Sequence, residues 1–187
     1  MIHNLINKLF KVFIYYVFKI DLNNFDIESN KLDLDIEHFK INSSFELKAL
    51  TYKKYFFNNS PIISGEYIKK KNVKLYLYFI NKKLVHASCY AEKKPIVKIL
   101  KKFQSSKNVF IGPVHTDKEY RGKNIHVFDM ISRCSEYKSK GFKNIYGDVK
   151  STNSKSIFCF MSIGAIKYSK IKCYKFLNYE LYKDLNI

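Results

Sequence analysis

The chain has no tryptophan, six glycines and three prolines, and only two of its 34 basic residues are arginines, Arg121 and Arg133. Scarce glycine and proline leave few breaks, so long elements and few loops are expected. Scarce arginine weakens the nucleic-acid reading that a net charge of +18 invites. The guanidinium forks onto phosphates and guanine edges, whereas lysine acts as a point charge. Lysine is abundant here together with Asn, Ile, Tyr and Phe, the pattern of a coding bias rather than of a selected basic groove. Nucleic acid is therefore not the expected partner, although the charge would attract anionic substrates, phosphates or a lipid surface. Cys89, Cys134, Cys159 and Cys173 contain no CxxC pair and join no histidine cluster. That excludes the familiar zinc spacings and fits buried thiols in a reducing cytoplasm.

No apolar run is long enough to cross a bilayer. The longest near the start, Val12 to Phe18, is flanked by Lys11 and Lys19, and no small-residue cleavage site follows it. Residues 1–20 read as an amphipathic helix that docks on the domain or lies on a membrane surface with its lysines snorkelling. The remaining 21–187 have the length and apolar content, 47% over the chain, of one globular domain. The expected location is cytoplasmic, at the inner face of the membrane if the leading helix binds lipid.

Residues 21–46 carry seven of the sixteen acids, and Leu32, Leu34 and Ile36 alternate with Asp33 and Asp35 as in a half-buried strand. Helices are expected over 45–57 and from Ser64 to Lys71. A hairpin follows, Val73 to Ile80 returning through Leu84 to Tyr90 about a turn at Asn81-Lys82-Lys83. Val109 to Thr116 is a short strand in which Gly112-Pro113 marks a bulge or an interrupted edge. A helix over 123–139 stops at Gly141, a strand covers Asn144 to Val149, and a helix over 153–163 stops at Gly164. Two strands close the chain between Ala165 and Tyr182. The order implies a mixed sheet with helices on both faces.

The chemistry concentrates between Ile111 and Ile125. A strand enters a loop that delivers Arg121-Gly122-Lys123 to the start of a long helix. A helix start offers unpaired amide hydrogens and roughly half a positive charge. Aimed at one point, with Gly122 allowing close approach and Arg121 and Lys123 at the rim, these make a pyrophosphate cradle.

This stretch resembles the GNAT family of acyl-CoA N-acyltransferases, an α/β (α+β) fold with a mixed, mostly antiparallel sheet flanked by helices. The family's cofactor motif, Q/R-x-x-G-x-G/A, falls on Arg121-Gly122-Lys123-Asn124-Ile125-His126, behind Glu119-Tyr120. A second family pattern, N-x-x-A-I followed by a glycine, falls on Asn153, Ser156, Ile157 and Gly164. The likeness covers about 108–165. The phrase IGPVHT…EYRGK with a lysine-rich leading helix looks most like members that modify sugars in bacterial surface-polysaccharide or lipopolysaccharide assembly.

The resemblance implies acetyl-CoA as cofactor and direct acetyl transfer to a primary amine, such as a nucleotide- or lipid-linked amino sugar. Cofactor contacts would come from Val114, His115 and Thr116 on the strand, from Arg121 through His126 at the cradle, and from Asn153, Ser156 and Phe160. A base must accept the amine's proton, and His115 leads on its reference pKa of about 6.5, with Glu66 and Asp148 as alternatives. His115 also reads as a plain strand residue, and Asn153 as a plain helix cap.

Three positions depart from the family pattern. Asn124 and His126 replace its small residues, and Phe160 replaces a tyrosine that commonly protonates the departing thiolate. His126 must either turn aside or meet a phosphate itself. These departures keep a second reading open, a catalytically degenerate GNAT-like binding module. A third is a basic membrane-surface or nucleic-acid-associated protein. Homodimerisation is compatible with all three.

Overall fold

The computed structural model describes residues 10–27, 34–43, 46–47, 72–177 and 179–185. Its elements run β1 (Phe10–Asp21), β2 (Glu37–Ile41), β3 (Val73–Ile80), β4 (Lys83–Glu92), β5 (Asn108–Thr116), α1 (Ile125–Ser139), β6 (Asn144–Lys150), α2 (Ser154–Ser162), β7 (Ile166–Phe176) and β8 (Tyr179–Leu185). Short 3-10 turns at Lys98–Phe103 and Lys118–Tyr120 flank β5. The strands form one sheet in the order β2-β3-β4-β5-β6-β1-β7-β8, antiparallel throughout except for β5 with β6.

The leading segment corrects the sequence-based expectation. From Phe10 to Asp21 it is not a helix but an interior strand, paired with β6 from Tyr15 to Asp21 and with β7 from Phe10 to Lys19. Val17 and Phe18 are both fully buried, one against each face of the sheet. A strand covered on both sides shows a continuous apolar run, which periodicity alone cannot separate from a buried helix. The leading residues 1–9 lie outside the described part.

The strand expected around Leu32 to Ile36 is found later, as β2 at Glu37–Ile41 on the sheet edge, where Glu37, His38 and Lys40 are exposed. Leu34 and Ile36 instead pack from irregular chain onto the core. The helices expected over 45–57 and 64–71 fall almost wholly outside the described residues. The hairpin forms, with a turn one residue shorter than expected: Lys83 already belongs to β4, and Ile80 pairs with it about a two-residue turn with Asn81 at φ 49° and Lys82 at φ 61°. Such left-handed pairs match the twist of the flanking strands.

Among the described residues, α1 and α2 pack on one face, with Phe18, Ile20, Tyr90, Ile111, Met130, Cys134, Tyr137 and Phe160 in that core. The other face buries Val17, Leu75, Leu77, Cys89, Phe110 and Tyr146 beneath Ile99 and Leu100 of the 3-10 turn. All four cysteines are free thiols, and burial pushes Cys89 and Cys134 up to about 12, far from the reactive thiolate. No helix among the described residues is long and apolar enough to cross a membrane.

Candidate active site

β5 lies between β4 and β6 but stays with only one of them. It pairs with β6 at Asn108, Val109 and Phe110 and then leaves it, while pairing with β4 continues to Thr116. The divergence has a local cause. Tyr90 faces Ile111 and Ser88 faces Val114, so three steps on β5 answer two on β4, and the extra residue falls at Gly112-Pro113. Of the two readings the sequence left open, a bulge or an interrupted edge, the register shift is a bulge, and a bulge bends its strand. Gly112 fits the tight packing there, because a Cβ would come within 2.8 Å of the tip of the Ile96 side chain and 3.1 Å of Cys89 Cβ, so both neighbours would have to give way.

The wedge opened between β5 and β6 is a cleft of ≈260 Å³. Gly112, Pro113 and Val114 form one wall, Gly147, Asp148 and Val149 the other, and Asn153, Ser156 and Phe160 of the α2 region close it. Past the last β6 pair, the β6-facing amides of β5 have no strand partner, and Pro113 has no amide hydrogen to offer. Gly147 exists for Phe160: a Cβ on Gly147 would sit 2.5 Å from the ring, which stacks on Phe18 at 4.9 Å between centroids.

Beyond β5 the chain turns through Lys118–Tyr120, where Asp117 accepts a hydrogen bond from the Glu119 amide at 3.1 Å. Arg121 Nε then donates to the Thr116 carbonyl at 3.1 Å, folding the loop back on the strand end. Gly122 at φ +80° and Asn124 at φ +57° both take left-handed backbone. Asparagine tolerates this better than most residues, which accounts for its standing at a position the family pattern gives to glycine. Asn124 does not cap α1 with its side chain, and no acid stands in the first turn. The amides of Ile125, His126 and Val127 are therefore open to an anion, beside the exposed Arg121 and Lys123. A Cβ at Gly122 would meet nothing within 4 Å among the described residues.

His126 turns aside. Its ring points inward toward His86, 5.6 Å between centroids, while one flank borders the cleft. Burial first, then the neighbouring His86, push its imidazole down to about 4, so it is neutral at ordinary pH.

The cleft thus gathers Val114, His126, Asp148, Asn153, Ser156 and Phe160. Arg121, Gly122, Lys123 and Asn124 form the exposed loop above it, and Ile125 is buried beneath. Thr116 is engaged by His86, Nδ1 to Oγ1 at 2.8 Å. Asn153 caps α2 by accepting from the Ser156 amide at 3.2 Å, so the plain helix-cap reading describes its side chain. His115 stands across from Ala87, on the face turned away from α1 and α2, and is not part of the cleft wall. Glu66 lies outside the described residues.

Asp148 occupies the junction. It borders both this cleft and a second of ≈510 Å³ on the opposite face, and Tyr15, Val97 and Lys150 are shared in the same way. Burial raises its carboxyl to about 6, against a weaker lowering by a backbone hydrogen bond. The larger cleft is lined by Phe13, Tyr15 and Tyr182 and by Lys11, Lys98, Lys150 and Lys175.

The sequence reading missed a buried polar cluster under the cradle. Asp129 accepts from Tyr78 Oη at 2.7 Å and from Tyr90 Oη at 3.2 Å, with Arg133 Nε 3.8 Å away. Burial would raise this carboxyl, but His86, Arg133 and Tyr78 together hold it below its usual range. The signal was present: His126, Asp129 and Arg133 share one helical face with Met130 and Cys134.

An eight-stranded mixed sheet, a bulged strand splayed from its parallel neighbour, and an uncapped helix start beyond it now stand together, and they match a known architecture. The fold is that of the GNAT acetyltransferases. The chain superposes on a GNAT-family putative acetyltransferase from Novosphingobium aromaticivorans with a TM-score of 0.57 at 12% identity, covering 88% of this chain and 64% of that one. A GCN5-related N-acetyltransferase from Sphaerobacter thermophilus gives 0.58 at 13%, covering 100% and 57%. An aminoglycoside acetyltransferase from a soil metagenome, solved with trehalose, gives 0.52 at 13%, covering 72% and 90%. The chain thus spans less than two thirds of the first two GNAT proteins' length. No family model and no curated protein sequence matches it.

Proposed function

We propose that this chain is an acetyl-CoA-dependent N-acetyltransferase whose acceptor is a primary amine. The observation that carries the reading is the wedge between β5 and β6, ending at the uncapped start of α1. A slot of mixed polarity with amides along one wall suits a pantetheine arm, which carries amides of its own, and the open amides beside Arg121 and Lys123 suit a diphosphate. The space beyond Gly122 leaves room for it.

Acetyl-CoA would supply an activated thioester carbonyl. The unpaired β5 amides near Val114 and Thr116 would point at the oxygen on which negative charge develops. Asp148, at the boundary of the two clefts, would take the proton that the attacking amine must lose. Its raised carboxyl titrates close to working pH, which suits a base better than an ordinary aspartate does. His115, on the far side of β5, is the weaker candidate. Phe160 cannot donate a proton, so the departing thiolate would be protonated by solvent.

The larger cleft supports an acceptor that carries an anionic group on a ring-bearing scaffold. Lys175 is paired with Glu180 at 3.6 Å and Lys150 covers the Phe13 ring at 4.2 Å, while Lys11 and Lys98 are exposed. A phosphorylated or nucleotide-linked amino sugar of surface-glycan assembly fits that chemistry.

Calorimetry with CoA tests the core of the reading. The protein should bind CoA at micromolar concentrations, and Gly122→Glu should abolish binding by placing a carboxylate where the phosphates lie. Absence of binding at millimolar CoA, or equal affinity in Gly122→Glu, refutes it. Turnover on a panel of amino sugars then separates an enzyme from a binding module.

A further inference from the structure

The polar cluster beneath the cradle is not used by acetyl transfer, and among the described residues three of its nitrogens lack hydrogen-bond partners, on the His86 and His126 imidazoles and at Arg133 Nε. His86 is fully buried, and its Nε2 has no hydrogen bond; the same holds for His126 Nδ1. Buried polar atoms are almost always satisfied, so two orphans side by side call for an occupant. One donor atom from each of His86, His126 and Asp129 lies within 4.8 Å of the other two.

We propose that His86, His126 and Asp129 form a binding site for a divalent transition-metal ion of the zinc type. The argument rests on donor chemistry and on the surroundings of the donors. Two imidazoles and a carboxylate suit Zn²⁺, Co²⁺ or Ni²⁺, whereas Mg²⁺ and Ca²⁺ require oxygen shells. His86 Nε2 and Asp129 Oδ2 are 3.7 Å apart. Ligands around a tetrahedral zinc stand about 3.4 Å apart given bonds of about 2.1 Å, so this pair is near the required spacing, and the set as a whole must draw in from within 4.8 Å.

The outer partners are those a metal site uses. His86 Nδ1 contacts Thr116 Oγ1, and with Nδ1–H donating there, Nε2 presents a lone pair that a metal ion can take. Tyr78 and Tyr90 hold the two carboxylate oxygens in place. An ion here would tie β4 to the first two turns of α1, directly below the amides of the cradle.

The site is tested on the full chain after dialysis against EDTA, by titrating Zn²⁺ calorimetrically and Co²⁺ by its visible ligand-field bands. One ion per chain should bind, Co²⁺ should show the intensity of a low-symmetry nitrogen site, and Tm should rise with metal. His126→Gln should weaken binding by at least tenfold. Thr116→Val, which removes only the outer partner, should weaken it roughly 10- to 100-fold. His38→Ala, an exposed histidine outside the cluster, should leave it unchanged. If His86→Ala fails to fold, the His126 and Thr116 variants still decide the matter. No saturable binding, or binding that is indifferent to His126→Gln and Thr116→Val, overturns the proposal and leaves water as the bridge between the orphan nitrogens.

Discussion

At the scale of single residues, the site depends on a few side chains placed by burial rather than by motif. Asp148 is the sharpest case. If it is the base, kcat/KM should rise as pH rises through about 6, because only the ionised carboxylate accepts a proton. Asp148→Asn should lose that limb and lower turnover by at least a hundredfold, with CoA affinity little changed. The same burial works against stability. Its folded pKa stands above the ordinary aspartate value of 3.8, so the favourable contribution is whole below that value and is lost as pH rises through about 6. Asp148→Asn should therefore stabilise the protein at neutral pH by on the order of 2 kcal/mol in chemical denaturation. A variant that is inactive but no more stable would mean that burial is not what perturbs Asp148. Phe160 poses a separate question. Phe160→Tyr would place a hydroxyl in the cleft wall, and faster turnover in single-turnover assays would show that thiolate protonation limits the reaction; an unchanged rate would show that solvent already supplies the proton.

At the scale of elements, legibility followed how local each signal was. The β3–β4 hairpin, α1 with its glycine stop, β6 and α2 were readable because turn residues and helical spacing act over a few positions. So was the bulge at Gly112-Pro113, since proline in a short apolar run has few alternatives. β1 was not readable, because its partners β6 and β7 lie far along the chain and nothing in Val12 to Phe18 announces burial on both faces. The motif at 121–126 located the cradle but could not show that the His126 ring turns inward, since that depends on space beside His86. Asp129 passed as one more helical acid until Tyr78 and Tyr90 arrived from β3 and β4. The correction of β1 carries a test. Phe18→Ala removes a fully buried ring stacked on Phe160 and should cost roughly 3–5 kcal/mol in chemical denaturation. A surface helix in its place would lose far less.

At the scale of the whole molecule, the excess of positive charge is mostly lysine. Arg133 is largely buried, stacked 3.9 Å from the Tyr76 ring centroid and bonded to Glu136 at 2.7 Å, which leaves Arg121 as the exposed arginine. Such a field attracts anions without reading sequence. CoA affinity should accordingly fall on the order of several-fold between low and physiological salt, and a salt-independent affinity would argue that the diphosphate is not held at the exposed loop. The position of β1 has another consequence, for the order in which the molecule comes together. Tyr15 is made long before Lys150 and Ile171, the residues it must lie between. An adhesive ribbon of Phe, Ile, Tyr and Val would therefore wait through most of synthesis before the gap it fills exists, and refolding should be slow and sensitive to protein concentration.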